Sequence, residues 1–303
     1  MYQNIHIEKI SDARLEQKEV LAGMLRLDMI HPVVSGNKIF KLSPYLNIAA
    51  ESGTKQILTF GGPYSNHLHA TAYEAKQRGM SCVGLVKGKP PLQLSITLEE
   101  CLQMGMKLRF LEGQQFDNID ASTLAAAYPN TLIIPHGGYG RSGAIGASEI
   151  MNLPGVGEYN IIMAACGTGT MGAGLISVAK DHQKIILISV LKNNHSITEE
   201  INALLPEETR FTNYTVEHRF HLGGYAKKNN ELFSCMNGFY SRYSIPTDFV
   251  YTGKLVFAFE QLIAEDFFSR GSKILLIHSG GLQGNRSLIS GELNFAGKDY
   301  LCC

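Results

Sequence analysis

The sequence predicts an α/β fold of parallel sheets covered by helices. Three observations point there. Short apolar runs of strand length alternate with segments of helical period along most of the chain. The apolar runs suit strands buried on both faces. The Gly-rich segments fall just after such runs, where ligands sit in open parallel sheets.

Seven strands are expected: Gln56–Phe60, Ser81–Val86, Lys107–Leu111, Leu132–Ile134, Asn160–Ala165, Lys184–Val190 and Lys273–His278. The helices expected between them are Pro44–Glu51, Asn66–Arg78, Leu92–Met104, Gly143–Met151, Gly172–Asp181, Asn230–Tyr243 and Gly253–Phe268. The first carries full punctuation. Ser43 is its N-cap, Pro44 its first helical residue, and Gly53 lies just past its end. Gly79 and Gly271 are read as ends of two others.

A chain of 303 residues has a prior of about two domains. Hydrophobic residues make up 45% and charged residues 18%, which is a globular composition and not a disordered one. Lys+Arg and Asp+Glu are both 27, so no basic excess argues for nucleic acid or an anionic membrane. No apolar run reaches the ~18 residues of a membrane span, and the N-terminus has no signal pattern. The six cysteines are Cys82, Cys101, Cys166, Cys235, Cys302 and Cys303. They form neither a zinc spacing nor a disulfide framework. A reducing cytoplasm is the simplest setting, and no metal is expected.

Residues 167–172, Gly-Thr-Gly-Thr-Met-Gly, match a dinucleotide fingerprint in form and follow a strand. The physics is generic: small residues let backbone amides approach a phosphate at a helix N-terminus. A dinucleotide site also wants an acid about 20 residues on. There the chain reads Ser189-Val190-Leu191-Lys192-Asn193. With no acid present, Thr168 and Thr170 suit a monophosphate better.

Ser35-Gly36-Asn37-Lys38 places an amine at a helix start, where the dipole favours the neutral nucleophile. A lone lysine is most often a solvated surface charge, so the argument rests on Lys38's company. Arg26–Leu42, RLDMIHPVVSGNKIFKL, resembles the lysine segment of the D-cysteine desulfhydrase and 1-aminocyclopropane-1-carboxylate (ACC) deaminase family. That family belongs to the tryptophan-synthase-β-like pyridoxal 5′-phosphate (PLP) enzymes. Gly61–Ala72, GGPYSNHLHATA, resembles its substrate-carboxylate loop. Gly137–Ile150, Cys166–Gly174, Gly224-Tyr225, Thr247–Lys254 and His278–Gly281 match further blocks in the same order.

The resemblance implies two open twisted, mostly parallel α/β sandwich domains with the cofactor in the cleft between them. Residues 1–42 and 147–303 would form the larger domain and 43–146 the smaller. Lys38 would hold PLP as a Schiff base. Lys41 and Cys166, Gly167, Thr168, Gly169 and Thr170 would hold the phosphate. Asn66 would bond the cofactor or substrate, Ser65 would sit beside the substrate as a catalytic residue, either nucleophile or carboxylate ligand, and His67 would bind substrate. Tyr225 and Tyr251 would be the active-site tyrosines, and Thr252 and Ser279 would lie against the cofactor. A homodimer is implied as well.

Blander readings stand beside these. Ser65 and Asn66 are each good N-caps. His67 and His69 diverge by about 200° on a helix, which is against shared metal ligation. His136 stands where the family pattern has Glu, so its role is open. Thr252 and Ser279 replace the Glu and Leu of the deaminases, which leans towards α,β-elimination. The expected reaction is D-cysteine to pyruvate, ammonia and sulfide, with Lys38 as the α-proton base. ACC deaminase is the alternative, and a PLP- or amino-acid-binding protein with little turnover is a further one.

Overall fold

The computed structural model describes residues 5–207, 209 and 213–295. Cys302 and Cys303 lie outside them. The strands are β1 (Ile7–Ile10), β2 (Leu21–Arg26), β3 (Gln56–Gly61), β4 (Ser81–Lys87), β5 (Met106–Leu111), β6 (Thr131–Ile133), β7 (Ile161–Cys166), β8 (Lys184–Ser189), β9 (Tyr214–Glu217) and β10 (Lys273–His278). They form two α/β layers. One sheet has the order β1-β2-β10-β7-β8-β9 and the other β5-β4-β3-β6. All pairs are parallel except β1 with β2.

The larger sheet is a wall between two cores. In β8, Ile185 and Leu187 face one and Ile186 and Ile188 the other, and all four are at most 1% exposed. Burial on both faces explains why these strands read as continuous apolar runs. The expected strands all form, with ends shifted by a residue or so. The sequence reading missed β1, β2 and β9. Strand β2 hides behind Gly23, whose place on the pleat is filled by Ile7 and the Tyr159 hydroxyl, each 2.7 Å from where a Cβ would sit. The other two are four-residue edge strands.

The punctuation at Ser43-Pro44 misleads. The helix runs Lys38–Glu51 with Pro44 inside it. Pro44 has no N–H to offer the carbonyl of Phe40. That carbonyl lies instead against the backbone of Gly146, where a Cβ would be only 2.0 Å from the oxygen. Gly53 does end this helix, at φ +69°. Gly271 does not end the later one, which runs Thr252–Ala264. Asp266, at φ +55°, turns the chain there, and Gly271 serves the entry to β10.

The chain passes between the sheets twice, along helix 38–51 and along residues 134–160. The expected breaks at 42/43 and 146/147 both fall inside helices, Lys38–Glu51 and Arg141–Ser148.

Candidate active site

A cavity of about 250 Å³ opens at the carboxyl ends of β3, β7 and β10. Its construction starts with Gly36. This residue has φ +73° and donates to Leu27 O at 2.7 Å. A Cβ there would sit 2.0 Å from Ser279 O. The amide of Asn37 donates to the same carbonyl at 3.1 Å. The loop after β10 thus clamps the turn that begins helix 38–51, and the first residue of that helix is Lys38.

Lys38 Nζ donates to Asn37 Oδ1 at 2.9 Å. Burial lowers its pKa to about 8, against the opposing pull of Asp248. One turn on, Lys41 is 5% exposed and reaches Gly137 O at 3.4 Å. Burial and the Lys38 charge hold its pKa well below the usual lysine value. Two amines one helical turn apart, Lys41 buried and Lys38 partly so, call for an anion.

The phosphate-like turn faces them. Cys166, Gly167, Thr168, Gly169 and Thr170 all line the cavity. Gly169, at φ +75°, precedes helix Thr170–Ser177, which has no side-chain cap. Its first amides therefore lack intrahelical acceptors. The hydroxyls of Thr168 and Thr170 are 3.2 Å apart. Burial pushes the Cys166 thiol up to about 11, so it acts here as an uncharged wall.

On the other sheet, Ser65 caps helix Asn66–Gln77 through Leu68 N at 3.2 Å. Capping and lining coexist, since Ser65, Asn66 and His67 all face the cavity. Asn66 Oδ1 is buried without a partner among the described residues. Thr59 donates to Ile134 O at 2.8 Å, so its oxygen must accept from His67 Nε2 at 2.7 Å. That fixes the His67 tautomer and leaves Nδ1 as a bare buried acceptor.

Tyr225 and Tyr251 line the cavity with ring centroids 6.0 Å apart at 72°. Burial, Tyr225 and Asp248 hold Tyr251 protonated. Ser279 also lines the cavity, but Thr252 is not among its wall residues. Thr252 lies fully buried one residue past Tyr251, and its hydroxyl is among the groups that lower the pKa of the Asp248 carboxyl against burial.

The sequence reading missed Asp248. Its carboxylate lines the cavity and accepts from the amides of Val250 (3.0 Å), Tyr251 (2.7 Å) and Thr252 (2.8 Å). An Asp just ahead of a helix was the available signal. His136 lines the cavity as well, its ring edge-on to Phe116. Burial first, and then the charges of Lys38 and Lys41, lower its pKa. Among the described residues no cluster of His, Cys, Asp and Glu could hold a metal ion, and no helix is long and apolar enough to cross a membrane.

These residues fit PLP. The uncapped helix start, the two threonines and Lys41 suit a phosphate monoester. Lys38 suits an aldehyde. The unpartnered oxygen of Asn66, on the cavity wall, suits a ring hydroxyl.

No family model matches the chain. A protein of Pyrococcus horikoshii described as a putative 1-aminocyclopropane-1-carboxylate deaminase is 28% identical over 271 residues, 83% of this chain and 81% of that one. A D-cysteine desulfhydrase of Salmonella newport is 27% identical over 286 residues, 85% of this chain and 86% of the relative. The crystal structure of an ACC deaminase homologue superposes with a TM-score of 0.77 at 25% identity, over 93% of this chain and 90% of that one. In sequence along most of its length and in fold, the chain is related to the ACC deaminase and D-cysteine desulfhydrase family of PLP enzymes.

Proposed function

We propose that this protein eliminates a β-substituent from a small D-amino acid, D-cysteine first among candidates, to give pyruvate, ammonia and sulfide. The observation that carries this reading is the placement of Lys38, first residue of helix 38–51, in one cavity with the 166–170 turn; by the family resemblance Thr252 stands where the deaminases carry Glu. An amine with its pKa lowered to about 8 stands in the cavity, and a hydroxyl occupies the position after Tyr251. When bound, PLP supplies an aldehyde for the substrate amine and a ring that delocalises negative charge from the α-carbon.

The chain's own residues do the rest. Lys41, Thr168, Thr170 and the amides of the 167–170 turn bind the phosphate. The first-turn amides of helix 66–77 receive the substrate carboxylate, since Ser65 Oγ takes only that of Leu68. Lys38 Nζ, neutral above its lowered pKa, takes the α-proton. Tyr251, held protonated by burial, orients substrate by donating from its hydroxyl. Tyr225 closes the outer side. A threonine hydroxyl does not keep a ring nitrogen protonated as a carboxylate does. Opening a cyclopropane, which lacks an α-proton, needs that stronger electron sink.

Ring opening of ACC is the second reading, favoured by the description of the Pyrococcus horikoshii relative. The discriminating assay supplies D-cysteine, L-cysteine, D-serine and ACC to purified PLP-loaded protein. Pyruvate and 2-oxobutanoate are measured. Pyruvate with sulfide from D-cysteine is expected. 2-Oxobutanoate from ACC alone overturns the first reading. No keto acid from any of the four points to a binding protein. The same proposal includes a cytoplasmic homodimer, with residues 43–146 as the smaller domain.

A further inference from the structure

Lys254 is a lysine with 0% exposure. Its hydrogen bonds go to carbonyls alone: Gly224 O at 2.5 Å and Val190 O at 3.3 Å. Burial lowers its pKa to about 8 against the pull of Asp248; a buried lysine amine with no carboxylate among its hydrogen-bond partners is costly and uncommon, so its placement calls for a reason.

The reason lies in what those carbonyls belong to. Gly224 immediately precedes Tyr225. The segment around it has no regular secondary structure and holds four left-handed residues: Leu222 (φ +47°), Gly223 (+91°), Gly224 (+112°) and Ala226 (+51°). Leu222 and Ala226 are strained there, because their Cβ atoms disfavour this region. Its local bonds include Gly224 N to His221 O at 3.0 Å, Gly223 N to His221 Nδ1 at 3.0 Å and Lys227 N to Gly224 O at 3.3 Å. The second carbonyl belongs to Val190, whose own amide donates to Cys166 O at 3.0 Å, where the phosphate turn begins. Lys254 itself lies three residues beyond Tyr251, in the first turn of helix 252–264. One amine thus joins three segments: the loop that carries the cavity-lining Tyr225, the residue after β8 that is bonded to the start of the phosphate turn, and the helix start next to Tyr251.

We propose that Lys254 is a positioning residue that holds the Tyr225 loop, through the Gly224 carbonyl, against Tyr251. Lys254 is not among the residues that line the cavity. The contact it sets is the tyrosine pair at 6.0 Å. The proposal rests on the active-site reading above for its importance but not for its physics.

The test uses PLP-loaded full-length protein and the substitutions Lys254→Met and Lys254→Arg. Amide hydrogen exchange is followed in peptides covering 220–227 and, as a reference, β7. In the Met variant, exchange across 220–227 should rise on the order of 10-fold while β7 keeps its protection. Arg, which still donates, should restore most of it. Exchange across 220–227 at the wild-type rate in folded Lys254→Met overturns the proposal. So does an equal rise in all peptides, which marks a purely structural role. If the Met variant does not fold, the Arg variant and Lys254→Gln carry the same comparison.

A kinetic arm adds Tyr225→Phe and the double variant with Lys254→Met. Acting through Tyr225, Lys254→Met should lower kcat on the order of 10-fold, and the double variant should be no slower than Tyr225→Phe alone. Additive losses overturn the proposal. Should no amino acid be turned over, the elimination reading fails while the exchange arm still decides the role of Lys254.

Discussion

The Asp248 carboxylate pulls against the burial that lowers the pKa of Lys38, and both residues line one cavity. The lysine is ammonium below about pH 8 and free amine above it. Covalent capture of PLP by the cofactor-free protein should therefore speed up as pH rises through about 8 and level off beyond. Removing the opposing charge lowers the pKa further, so Asp248→Asn should move the midpoint to lower pH. Stopped-flow absorbance reads the rate, and borohydride followed by peptide mapping reads the site. A label on a lysine other than Lys38, or a midpoint moving upward, contradicts this account.

Lys38→Ala should abolish exchange of the substrate α-proton, since loss of a positioned base typically costs about 10²–10⁴-fold. Deuterium incorporation into D-cysteine and D-serine, followed by proton NMR, measures it. The thermal midpoint should stay within a few degrees of wild type. Exchange persisting at the wild-type rate would remove Lys38 from the role.

Glu100, on the helix Ile96–Gln103 beside the smaller sheet, pairs with Arg286 at 2.6 Å in the turn after β10 and with His69 at 2.9 Å. The Arg286 side chain is 9% exposed. Glu100→Gln leaves a nearly buried guanidinium poorly matched, at a cost of roughly 3 kcal/mol. The thermal midpoint should fall by about 5–10 °C. A drop under one degree would show that solvent already screens the pair.

Gly36→Ala and Gly53→Ala form a matched comparison. Both residues have positive φ, +73° and +69°. A Cβ at Gly53 meets nothing within 4 Å, whereas one at Gly36 meets Ser279 O at 2.0 Å. Gly53→Ala should cost about 1 kcal/mol from backbone strain alone. Gly36→Ala should cost about 3 kcal/mol or more and weaken PLP binding, because the turn before Lys38 must move. Denaturant titration and PLP fluorescence read the two effects, and equal costs would refute the clamp.

The parallel sheets were legible because strands buried on both faces leave long apolar runs, as in Lys184–Ser189. The start of helix 38–51 was not legible. Pro44 reads as a first helical residue, and only the close approach of Gly146, far along the chain, makes it tolerable inside. In the site, the 166–170 turn stood out by local chemistry, and Lys38 by the family resemblance of the blocks around it. Asp248 announces itself only through amides that fold back onto it. Nothing in the neighbourhood of Lys254 hints that a lysine there is wholly buried. Burial is decided by contacts distant in sequence.

The two passages of the chain between the sheets both run beside the cavity. Lys38 and Lys41 sit on the first, and His136 and Gly137 on the second. Lys38, the amine proposed to react, therefore stands where the two layers are joined. Tyr64 and Tyr225, carried by opposite layers and both exposed, lie towards the rim. Any turning of one layer on the other at these passages would, by lever geometry alone, move the rim more than it moves Lys38.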